Sequence, residues 1–335
     1  MKKTIVALAV AALAATSANA ATVFNQDGTK VEVNGSVRLL LQKESGKRTD
    51  LKDKGSRVSF KASHELGGGL SALAYTELRF SDKEIADGVI VKRLYAGFDY
   101  EGVGTLTFGK QLTIGDDIGL SDYTYNLGGV NKLVGSGDKV VHFKSANFNG
   151  FSFGGDYVFA KDPTKNDSQG KKLTNKNAFV LGALYSRTMG DFGFALETGY
   201  SQEKVDQNVK NKAFTVGTEL SYGPFAAAVD YSQVKSSKKA ENVKWRDGVV
   251  YNKVREIELG LKYQIAEPSK VYTDIIWGKA QDESSNVKLR AYILGVDYKL
   301  HKQVVTYLEG GTFRYKEDGV STKDNKVGLG LRVHF

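Results

Sequence analysis

The chain has no cysteine, and only three prolines and four histidines among its 335 residues. Without cysteine there is no disulfide and no thiolate metal site. The histidines fall in four separate segments, so neither a metal centre nor any other cofactor is expected. Beyond Ala20 no apolar run is long enough to cross a membrane as a helix, and mean hydropathy is −0.32. No internal repeat is found, which argues against a propeller. Pro163, Pro224 and Pro268 all fall in expected connections. The expected strands are therefore free of proline, as a sheet without edges requires.

Catalytic patterns are lacking too. Gly104-Thr105-Leu106-Thr107-Phe108-Gly109-Lys110-Gln111 approaches a phosphate-binding loop. It ends in Gln where Ser or Thr would hold magnesium, and it lies on a strand. His64-Glu65 has no second histidine at metalloprotease spacing. No serine and histidine are paired by spacing as in a lipase. No enzyme activity and no catalytic residue are expected.

What is present begins at the ends. Met1-Lys2-Lys3 is basic, Ile5–Ala15 is apolar, and Ala18-Asn19-Ala20 is a small-x-small cleavage site, so residues 1–20 read as a secretory signal peptide. At the other end Val327, Leu329, Leu331, Val333 and Phe335 alternate with Lys326, Gly328, Gly330, Arg332 and His334. That period of two, carried to the last residue, is a half-buried strand. An exported chain closing on an amphipathic strand is a candidate transmembrane β-barrel. A barrel hides its apolar residues in alternation, so a polar average does not exclude it. A closed ladder of backbone hydrogen bonds also replaces the missing disulfides as a source of stability.

Alternating segments recur roughly every 18 to 22 residues. The first is Val31–Lys43, followed by Gly55–His64 and Leu70–Ser81. Later ones include Phe214–Tyr222 and Ile257–Tyr263. Short turns at Glu65–Gly69, Glu101–Gly104, Asn149–Gly150, Met189–Asp191, Gly223–Pro224, Ala266–Ser269 and His301–Lys302 alternate with long polar connections. The long ones are Glu44–Lys54, Asp82–Val89, Thr113–Asp138, Lys161–Lys176, Glu203–Asn211, Ser236–Lys253, Gln281–Val287 and Lys316–Asp324. Tyr100, Phe148, Phe151, Phe192, Tyr222, Phe225, Tyr263 and Tyr298 flank the short turns, where an interfacial aromatic belt would lie. The expected fold is all-β. It is an antiparallel up-and-down barrel of about 16 strands, an even count that returns both ends to the short-turn side.

A barrel this wide cannot fill its interior with side chains and leaves an aqueous channel. Arg38, Arg57, Lys61, Arg79, Arg93 and Lys144 on the polar faces then meet water and need no partner. The net charge is +9, which suits an anion path or anionic lipid. Export argues against nucleic acid as a partner. Lys165, Lys171, Lys172, Lys176, Lys235, Lys238 and Lys239 read as solvated loop residues, with lipopolysaccharide phosphates the functional alternative. Trp245 is expected to pack its loop down, and Trp277 to anchor in lipid or at a subunit contact. A soluble sandwich with a solvated face is the bland alternative, and the leader and aromatic flanks oppose it. A sugar-selective channel would show an aromatic track on the polar faces, whereas most aromatics fall on the apolar ones. An adhesive or structural barrel would be narrower or carry a further domain.

Residues Thr22-Val23-Phe24-Asn25-Gln26-Asp27-Gly28-Thr29-Lys30-Val31-Glu32-Val33-Asn34-Gly35 resemble the opening of the trimeric general diffusion porins of Gram-negative outer membranes. Arg93-Leu94-Tyr95-Ala96-Gly97-Phe98 and the terminal Phe335 do as well. From Ala21 to Phe335 the chain is similar to OmpH-type major outer-membrane porins. The resemblance implies a homotrimer of 16-stranded barrels in the outer membrane, among lipid and lipopolysaccharide, passing ions and small hydrophilic solutes. It implies that Phe335 belongs to the assembly signal. It also implies that the third external loop, here Thr113–Asp138, folds inward and sets carboxylates against basic wall residues. Asn126-Leu127-Gly128-Gly129 is similar to the family's tip motif. Asp122 falls on a usual acidic position, while Asn126 replaces a usual glutamate and Asp116 and Asp117 lie nearby. Arg57 and Arg93 match the basic ladder, with Arg38 and Arg79 on the same faces. Ser36 stands where relatives often have lysine. Losing the glutamate at 126 shifts the expected selectivity weakly toward anions.

Overall fold

The computed structural model describes residues 20–80, 88–160, 177–206, 209–237, 243–246, 248–283 and 285–335. All but the last residue of the expected leader lies outside them. So do Pro163, the connection Lys161–Lys176 with its five lysines, Lys238, Lys239 and most of Asp82–Val89.

Sixteen antiparallel strands close into one ring. Each pairs with the next in sequence, from Thr29–Glu44 through Arg57–Gly67 and on to Val320–His334. The ring shuts where Ser36 to Glu44 pair with His334 to Lys326. Phe335 extends this seam, accepting from Gly35 N at 2.8 Å and donating to Gly35 O at 3.0 Å. Its ring lies over Gly35, where a Cβ would collide with it.

An additional strand, Ala21–Gln26, turns back through Asp27-Gly28 and pairs with Thr29–Val33. Both turn residues have positive φ, 50° and 71°, the conformation a two-residue hairpin needs. Arg57–Gly67 occupies the other side of this part of Thr29–Glu44. Ala21–Gln26 therefore lies on the same side as Val320–His334. Val320–Phe335 and Ala21–Gln26 lie end to end along Thr29–Glu44 as one composite strand.

Two expected long connections are strands instead. Phe192–Asp206 and Val209–Tyr222 continue their ladder as far as the pair Asp206 and Val209. Val304–Glu317 and Val320–His334 continue through Lys316–Asp324 to a turn at Asp318-Gly319, with φ of 45° and 89°. Their polar composition marks strands that project past the apolar belt, not loops. Within Glu44–Lys54, Asp50–Asp53 pairs back onto Leu39–Gln42. Within Ser236–Lys253, Val243–Lys244 pairs with Val250–Tyr251.

The outward faces are apolar and open. Leu196, Phe214, Val229, Ile257, Tyr292, Leu308 and Leu329 are all exposed. The eight aromatics expected beside the short turns are exposed as well, and the rings of Phe225 and Tyr263 meet at 4.5 Å. Trp277 is exposed on its strand, while Trp245 is buried against Tyr251 and Tyr315.

Candidate functional site

The alternation that turns apolar residues outward turns a carboxylate inward on strand after strand. Asp156, Glu197, Asp230, Glu256, Glu258, Asp274, Asp297 and Glu309 lie on the polar faces of the strands between Phe151 and Glu317. None is more than 6% exposed. Buried carboxylates need donors, and most of these take them from the connection Thr113–Asp138.

That connection opens with a short 3-10 helix, Ile114–Asp117, and continues without regular structure to Ser136. Its backbone N–H groups reach strand after strand outward to Glu309 and then return. Ile114 N donates to Asp156 at 2.7 Å. Gly119 N donates to Glu197 at 2.8 Å. Leu120 N and Ser121 N donate to Asp230 at 2.9 and 3.0 Å. Tyr125 N donates to Glu309 at 2.7 Å and Gly129 N to Glu258 at 3.0 Å. Lys132 N and Val134 N finish on the hydroxyls of Ser232 and Ser201. Bonds to charged acceptors are worth about 1.5–3 kcal/mol each, so the segment is fixed along its length.

Side chains add to this. The Tyr123 hydroxyl donates to Glu219 at 2.5 Å and that of Tyr125 to Asp297 at 2.6 Å. Burial first, and the facing carboxylate second, push both phenols far up, so they stay protonated donors. Ile118, Leu127, Val130 and Leu133 form a core with Val254, Ile276, Leu289, Ile293 and Phe313. Close approach requires glycine beneath the segment. A Cβ on Gly260 would collide with the Ser121 carbonyl, and one on Gly182 would meet the Ile114 side chain.

A second group lies on the strands around the seam. Glu77, 2% exposed, takes Arg79 Nε at 2.6 Å, with Arg57 and Arg93 at 3.6 Å. Arg38 donates to Ser36 at 2.9 Å and stands in the field of Arg57, Arg332 and Arg79. Arg332 joins the two groups: it donates to Tyr125 O at 2.8 Å and lies over the Tyr125 ring.

The structure thus brings Arg38, Arg57, Arg79 and Arg93 together. Lys144 and Asp117 form an ion pair at 2.6 Å. Exposed Asp116 stands in the fields of Arg93 and Arg79. Asp122 accepts from Thr124 N and Oγ1 and sits beside Glu258 and Asp274. Asn126 is half-buried between Tyr125 and Leu127. The arginines are not unpartnered, because Glu77 sits among them. Nor are the polar faces short of aromatics: Tyr75 stacks on Tyr95 at 5.1 Å, and Tyr125 on Tyr307 at 4.3 Å.

A model of the Gram-negative porin family matches residues 7–318. The chain belongs to that family. It is 58% identical to a major outer membrane protein of Pasteurella multocida, with all of both chains covered. The barrel is similar to the trimer form of OmpT of Vibrio cholerae, with a TM-score of 0.70 and 21% identity over 92% of this chain and 100% of that one. It is also similar to an anion-selective porin from Comamonas acidovorans, with a TM-score of 0.68 and 17% identity over 92% of this chain and 100% of that one. Like its family, this porin is a passive diffusion channel of the outer membrane.

The sequence reading of the porin missed Glu77, Arg332 and the row of carboxylates. The row had a signal. Asp156, Glu197, Asp230, Glu258, Asp274 and Glu309 each occupy a polar-face position in the middle of a strand. A carboxylate at an inward position on strand upon strand of one half of the ring is an acceptor surface waiting for donors.

Proposed function

We propose that the polar faces enclose the aqueous lumen and that the segment between Thr113 and Ser136 crosses it, leaving a constriction lined by Arg38, Arg57, Arg79 and Arg93 on one side. Asp116, Asp117, Asp122 and Asn126 line the other side. The observation that supports this best is the set of loop N–H groups received by carboxylates on five different strands of the ring. Only a segment lying across the polar side of the ring meets all of them. The loop also covers those carboxylates, so the charge left facing water leans positive. We infer weak selectivity for anions, passage of small hydrophilic solutes without catalysis, and assembly as a homotrimer in contact with lipid and lipopolysaccharide. Residues 1–20 act as the export leader in this reading, and Phe335 as part of the assembly signal.

The test is planar-bilayer recording on the purified protein. Removing Gly115–Gly129 is expected to enlarge the conductance step and admit larger sugars. An unchanged step and unchanged sugar exclusion would place the segment outside the ion path. A saccharide-preferring channel is the second reading, favoured by the Tyr75–Tyr95 stack beside Lys61 and Arg93. Liposome swelling with sugars of matched size separates the two.

A further inference from the structure

Two inward-facing carboxylate positions differ in how their charge is met. Glu256 is paired with both Lys132 and Arg246. Next to it, Glu258 and Asp274 come together with Asp122, and no lysine or arginine among the described residues forms an ion pair with any of the three. One oxygen from each lies within 4.8 Å of the others.

Asp274 is the decisive member. It is fully buried, at 0% exposure, and neither of its oxygens has a hydrogen-bond partner. The Tyr123 N–H faces it, but neither oxygen has a donor in full hydrogen-bond geometry. Its companions are oriented by the loop. Glu258 accepts from Gly129 N and Ser121 Oγ, both at 3.0 Å. Asp122 is held by Thr124. Gly128 keeps the space between them open, since a Cβ there would strike Asp122 and come within 2.9 Å of Asp274 Oδ2. Asp122 is exposed, which gives the group an entrance.

From this geometry we propose that Asp122, Glu258 and Asp274 bind one calcium ion, which ties the loop to the strands Lys253–Ala266 and Ser269–Gln281. Calcium takes carboxylate oxygens at about 2.3–2.6 Å, so two on opposite sides of it stand roughly 4.8 Å apart. Magnesium needs about 2.0–2.1 Å and a stricter octahedron, which makes it the poorer fit. The expectation of no metal centre rested on histidine and cysteine, and this site uses neither. The proposal does not depend on the loop narrowing the pore.

The probe is terbium, a luminescent stand-in for calcium that Tyr123 and Tyr125 are placed to sensitise. The full barrel is purified in detergent, stripped with EDTA and titrated. Tyrosine-sensitised emission is expected, displaced by calcium and poorly by equal magnesium. Asp274→Asn should weaken terbium binding at least ~10-fold. Asp122→Asn, at an exposed position that leaves the buried pair intact, should do the same. Glu101→Gln, in a short turn, should leave it unchanged. Absent emission in the native barrel, or emission in both aspartate variants equal to that of the native barrel, would overturn the proposal.

Discussion

Asp230 accepts three donors from the loop: Leu120 N, Ser121 N and Ser121 Oγ, at 2.9, 3.0 and 2.8 Å. Asp230→Ala removes all three acceptor contacts at once. The Ser121 hydroxyl keeps Glu258 as a partner, but both amides are orphaned in a buried place. Each orphan costs about 1–3 kcal/mol, so the stretch from Gly119 to Ser121 loses roughly 2–6 kcal/mol of its hold. The flanking attachments at Glu197 and Glu309 remain, so the stretch should open locally without releasing the whole loop. Because the chain has no cysteine, Leu120→Cys supplies a single thiol, and Leu120 is 8% exposed. A loss of ~3 kcal/mol corresponds to an opening equilibrium about 150-fold larger. Modification of that thiol by a charged water-soluble reagent should accelerate by about two orders of magnitude in Asp230→Ala. Asp230→Asn should fall between, because it keeps one acceptor. Rates equal within about twofold, in barrels that assemble normally, would refute the claim that Asp230 holds the loop.

Gly260→Val should displace the loop at Ser121 and raise open-channel current noise; quiet channels would show that the strand yields instead. Asn126→Glu should move the reversal potential toward cations under a potassium chloride gradient, and Arg57→Ser should do so too, both fading at high salt as screening shortens. No shift at low salt would remove residue 126 from the ion path. Glu77→Gln takes the one carboxylate out of the arginine group and should move the potential the other way, toward anions. Phe335→Asp should lower the yield of inserted, heat-modifiable trimers, and normal yield would free Phe335 of any assembly role.

The barrel was legible because its rule is local. A lipid-facing strand alternates whatever its neighbours do, so Phe214–Tyr222 and Ile257–Tyr263 declare themselves. The rule fails where something covers the inner face. Val287, Leu289, Ala291 and Ile293 lie on one face of their strand and share a core with Leu127, Val130 and Trp245 from the long connections. There the inner residues are apolar because the loop lies on them. The rule also fell short where Glu203–Asp206 pairs with Val209–Asn211 and Lys316–Glu317 with Val320–Ser321, because charged residues there hide the alternation. The hairpin at Asp27-Gly28 carried a turn signature that went unread, and with it the strand Ala21–Gln26. Alternation puts Arg38, Arg57, Arg79 and Arg93 on polar faces, and likeness to a family singles out Arg57 and Arg93. Glu77 shares a strand face with Arg79, but its other partners, Arg57 and Arg93, come from the neighbouring strands. Their convergence is a property of register, which no single segment contains.

The composite strand has a consequence for how the protein is made. Residues near 21 and near 335 must sit along the same neighbour before the ring is complete, and the contacts between Ser36–Glu44 and Lys326–His334 span nearly the whole chain. Closing so long a loop is entropically costly and such non-local pairings form late. Until the final residues have emerged and returned to the start, every intermediate is an open sheet with two unsatisfied edges, prone to pair with another chain. A nascent barrel of this design cannot finish from either end alone. Truncation at the amino or the carboxyl terminus should therefore strand it in the same open, aggregation-prone form.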